Sequence, residues 1–209
     1  MQAPSGTHEH GPLERSDLDP DPIVQFHRWL ADADAAGVPL ANAIALATAD
    51  ASGAPSVRHV LLRGITDEGF VFFTNGSSRK GRELGANPRA SFTVLWRELD
   101  RQVCVRGSVT DLPSASSDAY FATRPRDAQL GAWASRQSEP MAERTELERR
   151  LGETAERFDG GDVPRPPFWG GYLLTPDDIE FWQGQPFRLH DRFRYARDGD
   201  AWTIERLYP

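Results

Sequence analysis

The sequence predicts a mainly β fold with helices (α+β), its strands antiparallel and closed into a barrel. Three observations carry this. Short runs rich in Val, Ile, Phe and Thr follow one another through links of a few residues, which lets neighbouring strands pair antiparallel. No βαβ repeat occurs. The longer helical patterns form one insertion between strands rather than alternating with them. An antiparallel sheet of about eight strands then closes most simply as a barrel.

The elements follow in order. Residues 1–20 lack apolar periodicity and are expected to form a mobile tail, leaving one domain over 21–209. Asp21 and Pro22 suit a helix N-cap and first turn. Ile23, Phe26, Trp29, Leu30 and Ala33 give that helix one apolar face, and Gly37 ends it. AIALATAD (43–50) and SVRHVLLR (56–63) flank the turn-rich ASGAP, and GFVFFTN (69–75) is a third strand after a turn at Thr66–Glu68. SSRKGRELGANP predicts a short helix. RASFTVLW (89–96) and RQVCVRGSVT (101–110) bracket a turn at Glu98–Asp100. SASSDAYFATR (114–124) predicts a helix ending before Pro125, because the residue preceding proline disfavours α geometry. A charged helix is expected from Pro140 to Phe158, with Leu147, Leu151, Ala155 and Phe158 inward. RPPF (165–168) breaks it, and strands return at WGGYLLT, DDIEFWQ, FRLHDRFRY and DAWTIERLY.

Composition narrows the function classes. The chain has 209 residues, enough for one domain with a substantial core, and no run of eighteen apolar residues that would span a membrane. MQAPSGTHEHGPLERSDLDPD has neither a basic n-region nor an apolar h-region, so a cytoplasmic protein is expected. One cysteine, Cys104, excludes an internal disulfide and a multi-thiolate metal site. A net charge of −7 argues against nucleic acid, which needs a broad cationic surface. Cations clustered on an acidic background suit a small anionic ligand, with phosphorylated metabolites the natural class.

Several stretches carry such chemistry. TNGSSRKG (74–81) sets Ser77, Ser78, Arg79 and Lys80 where a strand hands over to a helix, whose N-terminus attracts phosphate; a capped surface helix with solvated cations is the alternative. Arg58 and Arg63 in VRHVLLR are five apart, so a regular strand turns them to opposite faces. They serve different groups or pockets, or are two exposed edge arginines. Tyr120 and Arg124 share a helical face and both donate to phosphate, as would an ordinary surface pair. In RQVCVRG, Gln102 shares a face with Cys104 and Arg106; a carboxamide suits the edge of a heterocycle or a neighbouring strand. Trp133 and Trp182 read as packing residues, Cys104 as a small buried one, and Ser138 as an N-cap before Glu139-Pro140. If RLHDRFR is a strand, Arg188, His190, Arg192 and Arg194 share one face, and Leu189, Phe193 and Tyr195 the other, with Asp191 among them. Like charges so aligned repel, so something negative is expected against them. HExxH, GxSxG and GxGxxG are absent, and no metal site is expected.

Together RHVLLR, VFFTN-x-SSRKG, RQVCVRG, AYFATRPRDAQLGAWASRQS, PPFWGGY, IEFWQG and RLHDRF occur in the order seen in pyridoxine/pyridoxamine 5′-phosphate oxidases, and residues 20–209 resemble that family. The resemblance implies a split β-barrel homodimer with FMN at the subunit interface. It implies that Arg58, Arg79, Lys80 and Ser138 meet the FMN phosphate and ribityl chain. Val60, Leu61, Leu62, Phe73, Thr74, Gln102 and Gln137 would hold the isoalloxazine, which Trp182 and Arg192 also touch. Arg63, Tyr120 and Arg124 would bind the substrate phosphate, and Arg188 and His190 would orient the pyridine ring and handle protons. The implied reaction oxidises pyridoxamine or pyridoxine 5′-phosphate to pyridoxal 5′-phosphate, with hydride passing to the flavin and then electrons to O2. On this reading the cationic face of RLHDRFR meets the ligands. Four features depart from the family pattern: Arg63 replaces a lysine, Ala128 a phosphate-binding serine, and Leu40-Ala41 an acidic residue and proline. The N-terminal arm motif has no counterpart. A phenazine-type flavin oxidase and a non-catalytic flavin or pyridoxal phosphate carrier are the alternatives.

Overall fold

Alternation of apolar and polar residues sets which face of each strand is buried, and in the computed structural model those strands build one curled antiparallel sheet. Residues 11–209 are described. Among the described residues the nine strands are β1 (Ala43–Ala49), β2 (Pro55–Leu61), β3 (Gly64–Thr66), β4 (Gly69–Asn75), β5 (Arg89–Trp96), β6 (Arg101–Asp111), β7 (Trp169–Gln183), β8 (Asp191–Asp198) and β9 (Ala201–Leu207). Their order is β2-β1-β5-β6-β7-β4-β3, with β8 and β9 branching from β7. Five helices accompany them: α1 (Pro22–Ala35), α2 (Arg79–Ala86), α3 (Ser114–Ala122), α4 (Arg126–Ala134) and α5 (Arg144–Arg157).

The helix at residue 22 forms as its sequence dictates. The Asp21 carboxylate accepts from the Ile23 N–H at 2.7 Å, Pro22 occupies the first turn, and Gly37 takes a positive φ beyond the C-cap. Phe26, on its buried face, meets Phe70 and Phe92 edge to face at 4.8 and 6.4 Å, and Trp29 meets Phe181 at 5.1 Å. These rings join β4, β5 and β7 in the main core. Phe121, Leu130, Val163 and Trp169 form a second, smaller core under α3 and α4. No helix among the described residues is long and apolar enough to cross a membrane.

Four expectations are corrected. WGGYLLT and DDIEFWQ form one strand, β7. Its first half pairs with β4 and its second half with β8, while β6 runs along the other edge. Pro176 lacks an N–H, and a register shift between Arg106 and Gly107 absorbs it without ending the strand. Pro125 ends α3 but also opens α4, a helix the sequence does not announce because a proline that stops one helix can equally start the next. The charged helix starts at Arg144 rather than Pro140; it buries no residue fully and leaves Leu151 exposed. The tail ends before residue 20. Leu13 and Leu18 are buried, the Leu13 N–H donates to Asp191 Oδ2 at 2.9 Å, and Tyr195 Oη donates to the Asp19 carbonyl at 2.7 Å. Two leucines five apart leave no periodic signal. Residues 1–10 of the expected tail lie outside the described residues.

At the β7 bulge a Cβ on Gly107 would lie 2.0 Å from the Thr175 carbonyl oxygen, whereas one on Gly85 in α2 would meet open space. Gly107→Ala is therefore expected to destabilise the protein by about 2–3 kcal/mol, and Gly85→Ala to be neutral or stabilising by up to ~1 kcal/mol. Urea unfolding midpoints at constant slope check both.

Candidate anion-binding site

Strand β2, the end of β4, the start of α2 and helices α3 and α4 surround an open cavity of about 830 Å³. Arg58, Arg63, Arg79, Lys80 and Arg124 line it, and no acidic residue among the described ones does. Five cations facing one space in a chain of net charge −7 concentrate positive potential where the bulk surface would not. Arg58 and Arg63 open on the same cavity because β2 ends at Leu61, which frees Arg63 from strand alternation.

Lys80 is buried at the first turn of α2, whose N-cap is Ser78. Its Nζ donates to Thr74 Oγ1 and Gln137 Oε1, each at 2.9 Å. Both acceptors are neutral. Burial first, and then the Arg58 charge, push the ammonium down to about 8, with Glu83 pulling weakly the other way.

Glu83, four residues after Arg79, is buried beneath the cavity floor. Its Oε1 accepts from Arg79 Nε at 2.8 Å. Its Oε2 accepts from Ser56 Oγ at 2.6 Å, from Thr48 Oγ1, and from Arg58 Nη2 at 3.3 Å. Burial alone would raise this carboxyl, but the bonds from Ser56, Thr48, Arg79 and Arg58 outweigh it and hold it at about 2.

The opposite wall is aromatic. Phe73 stacks on Tyr120 at 4.0 Å and on Trp169 at 5.3 Å. The Arg124 guanidinium lies 4.9 Å from the Trp169 ring centroid and 5.4 Å from that of Phe121. Its Nη1 is buried and has no hydrogen-bond partner among the described residues. Arg124 sits beyond the end of α3, not on it, yet reaches the same cavity as Tyr120.

The remaining expected residues divide. Val60, Leu61, Phe73, Thr74, Gln137 and Ser138 line the cavity. Ser138 is not a helix N-cap: it has φ 73°, and α5 begins six residues later. Leu62 turns into the core, with its N–H and C=O both bonded to Asn42. Gln102, Trp182, Arg188, His190 and Arg192 do not line the cavity. Gln102, Trp182 and Arg192 are cross-strand neighbours on the outer face of β6, β7 and β8, and the His190 ring packs 4.6 Å from Trp182.

RLHDRFR is only partly a strand. Pro186–Arg188 form a 3-10 turn, Phe187 and Arg188 have positive φ, and β8 begins at Asp191. Arg188 and His190 are therefore not on the strand face of Arg192 and Arg194. That face is already neutralised within the chain: Arg192 grips Glu180 through Nε and Nη2 at 2.8 and 2.9 Å, and Arg194 reaches Glu205 at 2.6 Å. Acids on β7 and β9 supply the negative charge expected of a ligand. Trp133 does pack, against Phe158 and Phe168. Sequence reasoning missed Glu83 and the wall role of Trp169. The i,i+4 spacing of Arg79 and Glu83 was the available signal for the first.

Residues 30–157 match the family model described as pyridoxamine 5′-phosphate oxidase, and residues 169–209 match the pyridoxine 5′-phosphate oxidase C-terminal dimerisation region. The chain is 57% identical to the pyridoxine/pyridoxamine 5′-phosphate oxidase of Rubrobacter xylanophilus, over 94% of this chain and 91% of that one. It is 55% identical to the protein of the same name from Anaeromyxobacter dehalogenans, over 91% and 96%. Among solved structures, PhzG from Burkholderia lata 383, in complex with tetrahydrophenazine-1-carboxylic acid, superposes with a TM-score of 0.88 at 37% identity, covering 94% of this chain and 98% of that one. A pyridoxamine 5′-phosphate oxidase-related, FMN binding protein from Nostoc punctiforme shares the fold, with a TM-score of 0.71 at 18% identity over 92% and 100%.

Because Lys80 holds its proton less tightly in the folded chain, the unfolded chain binds more protons between about pH 8 and the ordinary lysine value of 10.5. Stability of the ligand-free protein should thus gain from this group as pH rises through that window. Lys80→Met should lack the gain. The difference between the two proteins in urea unfolding at pH 7.5 and 9.5 measures it.

Proposed function

The chain belongs to the pyridoxine/pyridoxamine 5′-phosphate oxidase family, and on that premise we propose that it is an FMN-dependent oxidase of pyridoxamine or pyridoxine 5′-phosphate, forming pyridoxal 5′-phosphate with dioxygen as electron acceptor. The observation that carries this is the cavity's five cations in two groups. Arg58 and Lys80 feel each other's charge beside α2, with Arg79 next to Lys80, and Arg63 and Arg124 do so at the aromatic wall. Two cationic groups in one cavity suit two phosphate-bearing molecules.

The residues fit these ligands. Among the described residues Lys80 has neutral acceptors only and Arg124 Nη1 has none, so anions would complete both. Arg58, Arg79, Lys80 and Ser138 would hold the FMN phosphate, and Val60, Leu61, Phe73, Thr74 and Gln137 would line its ring. Arg63, Tyr120 and Arg124 would clamp the substrate phosphate. Arginine at position 63 keeps the charge of the family's lysine and adds a forked donor pair, while Ala128 removes one hydroxyl from the same wall. FMN, when bound, supplies the two-electron redox chemistry that no side chain here can perform.

Gln102, Trp182, Arg188, His190 and Arg192 would reach the cavity from a second copy of the chain. Four of them lie in the matched dimerisation region, and the exposed apolar Val57 and Leu95 lie on the sheet surface such a copy would cover. The Gln185 N–H donates to His190 Nδ1 at 3.1 Å, so the neutral ring carries its proton on Nε2. His190 would thus donate a hydrogen bond to the substrate through Nε2, beside the Arg188 guanidinium. Together they would orient the pyridine ring for transfer.

The structural likeness to PhzG raises a phenazine-type oxidase as a second reading. Identity of 55–57% to curated B6-phosphate oxidases, against 37% to PhzG, favours the first.

Oxygen uptake by the FMN-loaded protein with either B6 phosphate is the direct test. Activity on a reduced phenazine precursor alone would favour the second reading. Arg188→Ala should lower kcat on the order of a hundredfold while FMN affinity stays within about threefold. Mixed dimers of Arg124→Ala and Arg188→Ala subunits should regain about half of the activity, since one cavity per dimer is then intact. Absence of any recovery would refute the shared site.

A further inference from the structure

Glu83 is an anion placed directly under a cavity proposed to bind anions, which needs a reason. Its carboxylate is nearly inaccessible, at 5% exposure, and ties three elements together: Thr48 of β1, Ser56 and Arg58 of β2, and Arg79 of α2. Thr48 and Ser56 each donate to Glu83 while accepting from Arg58, so the guanidinium is fixed through these three side-chain oxygens and the Leu46 carbonyl. Arg79 spends only Nε on Glu83, which leaves its two Nη groups for a ligand. Those bonds hold the carboxyl at about 2, so it is ionised near neutral pH.

We propose that Glu83 is a positioning residue that preorganises Arg58 and Arg79 as a clamp for the phosphomonoester of the flavin nucleotide and sets the clamp's net charge to match it. Arg58, Arg79 and Lys80 carry three positive charges, and Glu83 reduces the site to two. A phosphomonoester carries about −1.5 to −2 near neutral pH. Without Glu83, three mutually repelling cations would have to be ordered by the ligand itself, which weakens binding. With it, two of the guanidinium groups are already in place before the ligand arrives. The inference rests on the FMN reading above.

The test is a flavin fluorescence titration of the FMN-free protein with FMN and, separately, with riboflavin, which lacks the phosphate. Wild type should bind FMN far more tightly than riboflavin. Glu83→Gln should weaken FMN about tenfold or more, because Arg58 and Arg79 lose their charged acceptor, and leave riboflavin within about twofold. Thr48→Val, which keeps shape but removes one bond to both Arg58 and Glu83, should shift the ratio the same way by about threefold. Equal weakening of both flavins by Glu83→Gln would make the residue merely structural and overturn the proposal. So would unchanged or tighter FMN binding. If Glu83→Gln does not fold, an unchanged ratio in Thr48→Val overturns it alone. A wild type that binds FMN no better than riboflavin would instead sink the cofactor reading, which keeps the two failures separate.

Discussion

Electrostatic repulsion among five cations facing one cavity is the constraint on which the rest of this structure depends. An unpaired positive charge taken from water is costly, and neighbouring like charges add to that cost. The chain resolves the problem in several ways. Arg58 and Arg79 share the buried Glu83 carboxylate. Arg124 lies against the Trp169 and Phe121 rings, whose electron-rich faces compensate part of its charge without offering a hydrogen bond. Lys80 is given neutral acceptors only and loosens its proton. Arg63 remains exposed to water. What is left after these arrangements is a surplus of positive charge and donor capacity, the condition an anionic ligand would satisfy.

The cations of the C-terminal strands present the opposite case. Arg192 and Arg194 meet Glu180, Asp178 and Glu205 across β7, β8 and β9, and Arg206 meets the buried Asp191 and Glu14. These pairs hold the branch of the sheet together and leave no comparable surplus. Arg188 and His190 stand outside these pairs, in the turn before β8. There, Phe187 and Arg188 accept a left-handed backbone that L-residues seldom adopt, and the Phe187 and Leu189 side chains stand in solvent. Strained backbone and exposed apolar side chains beside Arg188 and His190 are features that a second subunit would make use of.

The long strand β7 links the two regions. Its first half supplies Trp169 to the cavity wall and its second half supplies Glu180 and Trp182 to the outer face, with the Pro176 bulge between them. The bulge bends the sheet so that one strand pairs with β4 and then with β8 along the same edge. Close approach at Gly107 and Gly171, where a Cβ would meet the Thr175 carbonyl or the Phe73 ring, keeps this geometry tight.

Much of this was written in local residue patterns. Alternation placed most of the strands, Asp21-Pro22 and Gly37 bounded the first helix, and SSRKG marked a helix N-terminus rich in cations. Those signals are local because hydrogen bonding of the backbone and the burial of one face depend on residues a few positions apart. Apart from Arg79, which pairs with Glu83 four residues on, which cations are neutralised was not local. Glu83 reaches Thr48 and Ser56 across 35 and 27 residues, Arg192 finds Glu180 across a strand pair, and Arg124 finds its platform in Trp169. Alternation along RLHDRFR assumed a strand that the turn at Pro186 interrupts, so it misassigned Arg188 and His190. Side-chain charge acts through space, over distances that chain separation does not report, so the balance of charge in the cavity and on the outer face was decided only when the sheet curled and brought those carboxylates and rings to their cations.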